Sequence, residues 1–108
     1  MTEAALHYRV CPPVVLRGQL DRLLAVASLP NIELAVIPTE LQLPFPAVHG
    51  FWIYDDKLVL VDTVSAELAL RDRDDIELYE RLFEMMWDVA ALGEDAMAVV
   101  RGTIERIR

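Results

Sequence analysis

The segment from Asp74 to Ala90 constrains the fold more than any other part of the chain. At 100° per residue, its charged side chains fall on a strip about 100° wide, and its apolar side chains fill an arc roughly twice as wide. A helix at the edge of a small domain needs only one apolar stripe. We therefore predict a long helix covered from two directions, by a sheet on one side and by another helix or subunit on the other.

The side chains of this segment divide into two sets. The charged set, which is typical of a solvated helix face, consists of Glu77, Glu80, Arg81, Glu84 and Asp88. The apolar set consists of Ile76, Leu78, Tyr79, Leu82, Phe83, Met85, Met86, Trp87, Val89 and Ala90.

Composition supports association and argues against contact with nucleic acid. The 108 residues suit one domain, which we expect to span residues 1–108, and 55% of them are hydrophobic. The formal net charge of −8 repels phosphate backbones, so this chain is not expected to contact DNA itself.

The single cysteine, Cys11, has no internal disulfide partner, which fits a reducing cytoplasm. No apolar run approaches the roughly 18 residues of a membrane span.

The remaining elements follow from periodicity and turn residues. Val14 to Ala27 has helical spacing after Pro12-Pro13, and Met1 to Val10 is compatible with either a short strand or a helical turn. Thr39 to Val48 has no period and is predicted to be a loop. Strands are predicted at Ile32–Ile37, at His49–Tyr54 and Lys57–Thr63 joined by an Asp55-Asp56 turn, and at Ser65–Leu70, with a last helix from Glu94.

This order predicts the α+β class. We expect a small, largely antiparallel sheet of about four strands packed by three helices, with the penultimate helix central. Asp74 and Glu77 would form a capping box for that helix, and Gly93 would stop it.

Residues of catalytic or metal-binding types occur without the spacing that such sites need. His7, His49 and Cys11 lack zinc-ligand spacing, and the acidic run from Asp72 lacks the central glycine of a calcium loop. Ser65, His49 and Asp62 supply the residue types of a hydrolytic triad without a nucleophile elbow. We therefore expect no catalytic residues, metal or cofactor, and a small hydrolase stays only as a remote alternative.

An aromatic cluster lies at the first strand of the predicted hairpin. Alternation places His49, Phe51 and Ile53 on one face, and Trp52 and Tyr54 on the other. One interpretation is a ligand pocket with His49 as its polar anchor. The other is that both faces are covered, with Trp52 and Tyr54 keeping their polar tips near water.

Two segments carry a resemblance to a known family. The first runs from Gln19 to Pro38, and the second begins at His49-Gly50-Phe51-Trp52, includes Asp62 to Leu68, and continues through Ile76-Glu77-Leu78-Tyr79-Glu80 to Phe83. Together they resemble the C-terminal domain of unknown function of actinobacterial XRE-type helix-turn-helix transcriptional regulators. Asp62 stands where that family more often has a glutamate.

The resemblance implies a regulatory module of a cytoplasmic, antitoxin-like transcription factor, often encoded near a small partner protein. No helix-turn-helix is found in this sequence, so we expect the regulatory half of such a protein, either excised or as a stand-alone relative. DNA would be contacted only through a helix-turn-helix domain.

We expect a non-enzymatic domain that mediates self-association, partner binding or effector sensing. We expect a homodimer whose interface includes part of Leu78, Leu82, Met85 and Val89, or their opposite flank. An alternative is a small-molecule sensor with an aromatic pocket between the sheet and the long helix. The candidate ligand or partner surface is His49, Trp52, Tyr54, Leu78, Leu82, Met85, Met86, Trp87 and Val89.

Overall fold

The computed structural model describes residues 1–40 and 49–107, and it confirms the α+β class. The chain divides into two compact units, one formed by residues 1–41 with 89–108 and the other by residues 42–88. In the described part, the elements are α1 (Glu3–His7), α2 (Pro13–Ala27), β1 (Ala35–Val36), β2 (Phe51–Tyr54), β3 (Leu58–Asp62), β4 (Glu67–Leu70), α3 (Arg73–Val89), β5 (Ala91–Leu92) and α4 (Gly93–Glu105).

The core of the first unit lies between α2 and α4. Prolines at the start of α2 suit the first helical turn, and Leu16 and Leu20 recur at helical spacing on its buried face. They pack in one cluster with Val100 of α4, which is fully buried. The Arg17 guanidinium donates a 2.8 Å hydrogen bond to the carbonyl of Ile107, which ties the end of the chain to α2.

A two-stranded sheet joins distant parts of the first unit. β1 pairs antiparallel with β5, with Val36 opposite Ala91. The N-terminal residues run along the other side of this segment, where the backbone N–H of Glu3 donates to the carbonyl of Ile37 at 2.8 Å. Residues 1–10 therefore combine a single bridge at Thr2 with a helical turn, α1, and Leu6 of that turn is buried.

The second unit contains a three-stranded antiparallel sheet in the order β2-β3-β4. Tyr54 pairs with Leu58, so the β2–β3 loop has three residues, 55–57, rather than the predicted two-residue turn. Asp55 takes the left-handed conformation, with φ of 53°, and the N–H of Lys57 donates to the carbonyl of Tyr54 at 3.2 Å. Aspartate tolerates that backbone region better than most residues, which explains a tight loop without glycine.

The core of the second unit is small. Val59 and Val61 of β3 are buried, and Ile76 is the buried residue of α3. Phe51, Ile53, Leu70 and Tyr79 pack around them. Burial on one face of a three-stranded sheet is what an α+β unit of this size requires.

Several predicted details differ from the structure. In place of one sheet of about four strands, the described residues form two sheets, because the predicted strand at Ile32–Ile37 pairs with β5 instead of joining the hairpin. The same residues form four helices rather than the predicted three, and α1 is the additional one. The long helix begins at Arg73, so Asp72 rather than Asp74 precedes its first turn. It ends at Val89, before Gly93, which has φ of +54° and opens α4. Residues 41–48 of the predicted loop lie outside the described residues.

Candidate functional site

The two faces of the three-stranded sheet differ in what covers them. Phe51 and Ile53 lie on the face that packs with Val59, Val61 and α3. Trp52 and Tyr54 point to the opposite face and are 49% and 50% exposed. The predicted alternation is therefore confirmed. The expected pocket between the sheet and the long helix cannot include Trp52, because this side chain points away from α3.

His49 is exposed and lies on the α3 side of the sheet, as the alternation predicted. Its ring centroid is 6.5 Å from that of Tyr79, and the rings are tilted by 41°. Tyr79 also meets Phe51 edge-to-face, with centroids 5.1 Å apart. Edge-to-face contact is a favoured geometry for aromatic pairs. The rings of His49, Phe51 and Tyr79 therefore form one cluster between the sheet and α3.

A groove of about 450 Å³ lies between β2 and α3. Its apolar lining comes from Phe51, Ile53 and Phe83. Three carboxylates complete the lining, one from Asp55 in the β2–β3 loop and two from Glu80 and Glu84 of α3. Pockets of this size accommodate small molecules, and the combination suits a ligand that has an apolar body and a positive charge.

Sequence reasoning missed the carboxylates of this groove. Glu80 and Glu84 belong to the strip that was predicted to be a solvated helix face, and Asp55 was predicted only as a turn residue. Their convergence depends on the packing of β2 beside α3, which neither segment reveals alone. The signal that pointed in this direction was the helical spacing of Glu80 and Glu84, which places both on one face.

One side of α3 carries exposed apolar residues. Leu78 is 55% exposed and Met85 is 40% exposed. Leu82, which lies between them, and Val89, which follows them, are half-buried. Spacings of four, three and four residues place all four in one row along the helix. We refer to Leu78, Leu82, Met85 and Val89 as the outer stripe of α3.

The other predicted residues of α3 lie nearer its buried side. Met86 and Trp87 are half-buried. The Trp87 ring stacks on Phe83, with centroids 5.9 Å apart and planes inclined by 30°. Phe83 lines the groove, so Trp87 lies one helical turn from that lining. The predicted set is thus not one surface. Four residues form the outer stripe, Met86 and Trp87 lie nearer the buried side of α3, His49 lies beside Tyr79, and Trp52 and Tyr54 lie on the exposed sheet face.

A second, smaller cavity of about 240 Å³ belongs to the first unit. It lies beside the β1–β5 sheet, and apolar residues including Ile32, Leu34 and Met97 form most of its lining. Glu33 is its one charged lining residue among those described. None of the predicted site residues contributes to it.

Residues 1–102 match the family described as a domain of unknown function, DUF5753. The chain belongs to this family. The match covers both units of the DUF5753 domain and confirms that the resemblance was to a domain of unknown function. No curated protein and no solved structure shows significant similarity to the chain.

Two further observations describe the DUF5753 domain. None of its helices in residues 1–40 and 49–107 has the length and apolar character to cross a bilayer. Within the same residues, no group of three histidine, cysteine, aspartate or glutamate side chains is arranged to hold a metal ion.

Proposed function

We propose that this DUF5753 domain is a non-catalytic regulatory module of an XRE-type helix-turn-helix transcriptional regulator, and that it acts through self-association. The observation that carries the proposal is the exposed outer stripe of α3. An apolar row with two of its four members exposed, Leu78 and Met85, is typical of a surface that binds another protein. The charge of −8 supports a division of labour in which a separate helix-turn-helix domain contacts the DNA.

Sedimentation velocity over a concentration series tests self-association. We expect the wild-type chain to dimerise in the micromolar range, and Leu78→Glu to remove the dimer, because it buries an unpaired charge in the apolar contact. Val64→Glu is the matched control, since Val64 is fully exposed and lies outside α3. A wild-type chain that remains monomeric at several hundred micromolar would refute the proposal.

A gel-shift assay tests the regulatory assignment separately. The chain alone is expected not to bind DNA, because its net charge opposes the phosphate backbone. When the same domain follows a helix-turn-helix, Leu78→Glu should weaken operator binding, since dimeric regulators engage two half-sites together. Operator binding that is unchanged by Leu78→Glu would contradict a role for the outer stripe in regulation.

The groove between β2 and α3 favours a second candidate function, an effector sensor. Its apolar lining and three carboxylates favour a small organic cation over an anion. Thermal-shift measurements with alkylammonium and guanidinium compounds, and with carboxylic acids of equal size, test this function. We expect stabilisation by the cations alone, and its loss in a Glu80→Gln/Glu84→Gln variant. A flat response to all the cations would exclude this candidate.

Trp87 offers an optical readout of the same groove. Because it stacks on Phe83, a ligand that displaces this ring should change the indole emission. Trp52 is the other tryptophan and lies on the opposite sheet face, so Trp52→Phe leaves Trp87 as the single reporter. Emission that is insensitive to a ligand known to stabilise the domain would place that ligand elsewhere.

A further inference from the structure

The spacing of the outer stripe specifies how a second helix can cover it. Leu78, Leu82, Met85 and Val89 follow the alternating four-and-three spacing of a two-helix seam, in which Leu78 and Met85 occupy d positions and Leu82 and Val89 occupy a positions. The most exposed members, Leu78 and Met85, lie one heptad apart. The stripe therefore offers a regular seam rather than scattered apolar residues.

The two borders of the seam differ in character. On one border, Tyr79 and Met86 are half-buried, and Tyr79 packs against the core of the second unit. On the other border, Arg81 and Asp88 are exposed, carry opposite charges and lie one heptad apart. Neither forms a salt bridge within residues 1–40 and 49–107. In the same residues, the salt bridge of α3 joins Arg73 to Glu77.

We propose that a second copy of this chain covers the outer stripe with its own α3 in antiparallel orientation, so that each Arg81 pairs with Asp88 of the partner subunit. This proposal rests on the self-association proposed above and specifies its geometry. In an antiparallel seam Leu82 packs against Met85 of the partner subunit, and Leu78 packs against Val89 of the partner subunit. That register brings the charged borders of the two helices together.

The two-fold axis repeats each ion pair. Arg81 meets Asp88 of the partner subunit at one end, and Asp88 meets Arg81 of the partner subunit at the other. A surface that is complementary to itself is what a symmetric dimer requires. This charge complementarity favours a second copy over an unrelated protein as the occupant of the stripe.

A parallel arrangement does not use these charges. In a parallel seam, the charged border of one helix faces the opposite border of the other. Arg81 would then lie beside Met86 of the partner subunit, and no ion pair would cross the interface. The arrangement of charges therefore distinguishes the two orientations.

The seam is short, which limits its affinity. From Leu78 to Val89 it extends over about 16 Å at the helical rise of 1.5 Å per residue. Contacts of this size give weak, reversible dimers. Exposed ion pairs at the border should make the dimer more stable at low ionic strength than at high ionic strength.

Charge reversal at the two border positions tests the proposal. Arg81→Asp and Asp88→Arg each replace two attractive pairs with two repulsive ones, so each should raise the dimer Kd at least about tenfold. The double variant restores opposite charges and should return to within about threefold of the wild-type Kd. Sedimentation velocity at low and high salt measures all four chains, and far-UV circular dichroism confirms that each is folded.

Mixing the two single variants provides a stricter test. The Arg81→Asp chain carries only negative charges at the border, and the Asp88→Arg chain carries only positive charges. Each should self-associate poorly, and an equimolar mixture should form heterodimers with both ion pairs attractive. Arg22→Asp and Asp21→Arg, on the exposed side of α2, match the charge changes and should leave the Kd unchanged.

The outcomes separate this proposal from the broader one. A wild-type chain that stays monomeric at several hundred micromolar overturns both. A wild-type dimer that Leu78→Glu dissociates, but that neither single reversal weakens, overturns the antiparallel register and leaves self-association standing. Single reversals that weaken the dimer without recovery in the double variant or the mixture also overturn the register.

Discussion

Truncation of Ile76 tests how α3 is held to the second unit. Ile76 is 4% exposed and packs against Val59 and Val61. Ile76→Ala removes three carbon atoms, worth about 2.4 kcal/mol at ~0.8 kcal/mol per methylene. The cavity left behind raises the expected loss of unfolding free energy to about 3 kcal/mol, and the better helix propensity of alanine returns a few tenths.

Leu78 is the matched control for this change. It lies two residues further along α3 and is 55% exposed, so Leu78→Ala should cost less than about 0.5 kcal/mol in the monomer. Urea unfolding followed by far-UV circular dichroism measures both variants. The protein must be dilute, because dimerisation would add a concentration-dependent term to the free energy of unfolding.

Hydrogen exchange locates the effect of Ile76→Ala. Ile76 belongs to the core cluster of the second unit, so amide protection should fall first in β2 to β4. The reasoning is refuted if Ile76→Ala costs less than about 1 kcal/mol, or if Leu78→Ala costs as much. Either result would mean that α3 is not fixed through the face that carries Ile76.

Three further predictions concern the first unit, and urea unfolding checks each of them. Val100 is fully buried, so Val100→Ala should lower the free energy of unfolding by about 2–3 kcal/mol. Arg17→Met removes the 2.8 Å hydrogen bond to the carbonyl of Ile107 and should cost about 1 kcal/mol, since the site is part-exposed. The backbone N–H of Thr39 donates to the Glu3 carboxylate at 3.2 Å and is the main reason that the pKa of Glu3 is lowered. The stability that this carboxylate contributes is present above its unfolded pKa and is lost as the pH falls through its lower folded pKa. Between about pH 7 and pH 3, the free energy of unfolding should therefore fall less steeply in Glu3→Gln than in wild type.

The elements that sequence predicted best are those with strong periodicity. The α2 helix and the β2–β3 hairpin follow from regular apolar spacing and turn residues, and both are observed close to their predicted bounds. The segment Met1 to Val10 carries two patterns at once. Backbone hydrogen bonds of Met1 and Glu3 with Ile37 determine which pattern forms at each position. These contacts join parts of the chain that are far apart in sequence.

The number of sheets could not be predicted because an apolar strand does not specify its partner. β5 is only Ala91 and Leu92, too short for any periodic signal, yet it is the strand to which β1 pairs. The apolar run at Ile32–Ile37 suggested membership of the larger sheet. A two-residue strand that forms only because it pairs with another strand cannot be predicted from its own sequence.

The candidate surfaces were partly predictable. Alternation along β2 assigned Trp52 and Tyr54 to one face correctly. The four residues of the outer stripe were in the candidate set, but helical spacing alone did not decide between them and the opposite flank of α3. The groove was not predicted in its observed form, because it requires Asp55 to lie near Glu80 and Glu84. Such convergence is set by the angle and distance at which a helix packs on a sheet.

The junction between α3 and β5 has a mechanical consequence. Helix α3 ends at Val89 and β5 begins at Ala91, so Ala90 is the whole connection between them. With one residue between the two elements, a change in the torsion angles of Ala90 acts directly on β5, whose Ala91 lies opposite Val36. An insertion or deletion at this position would therefore shift the register of β5 with β1.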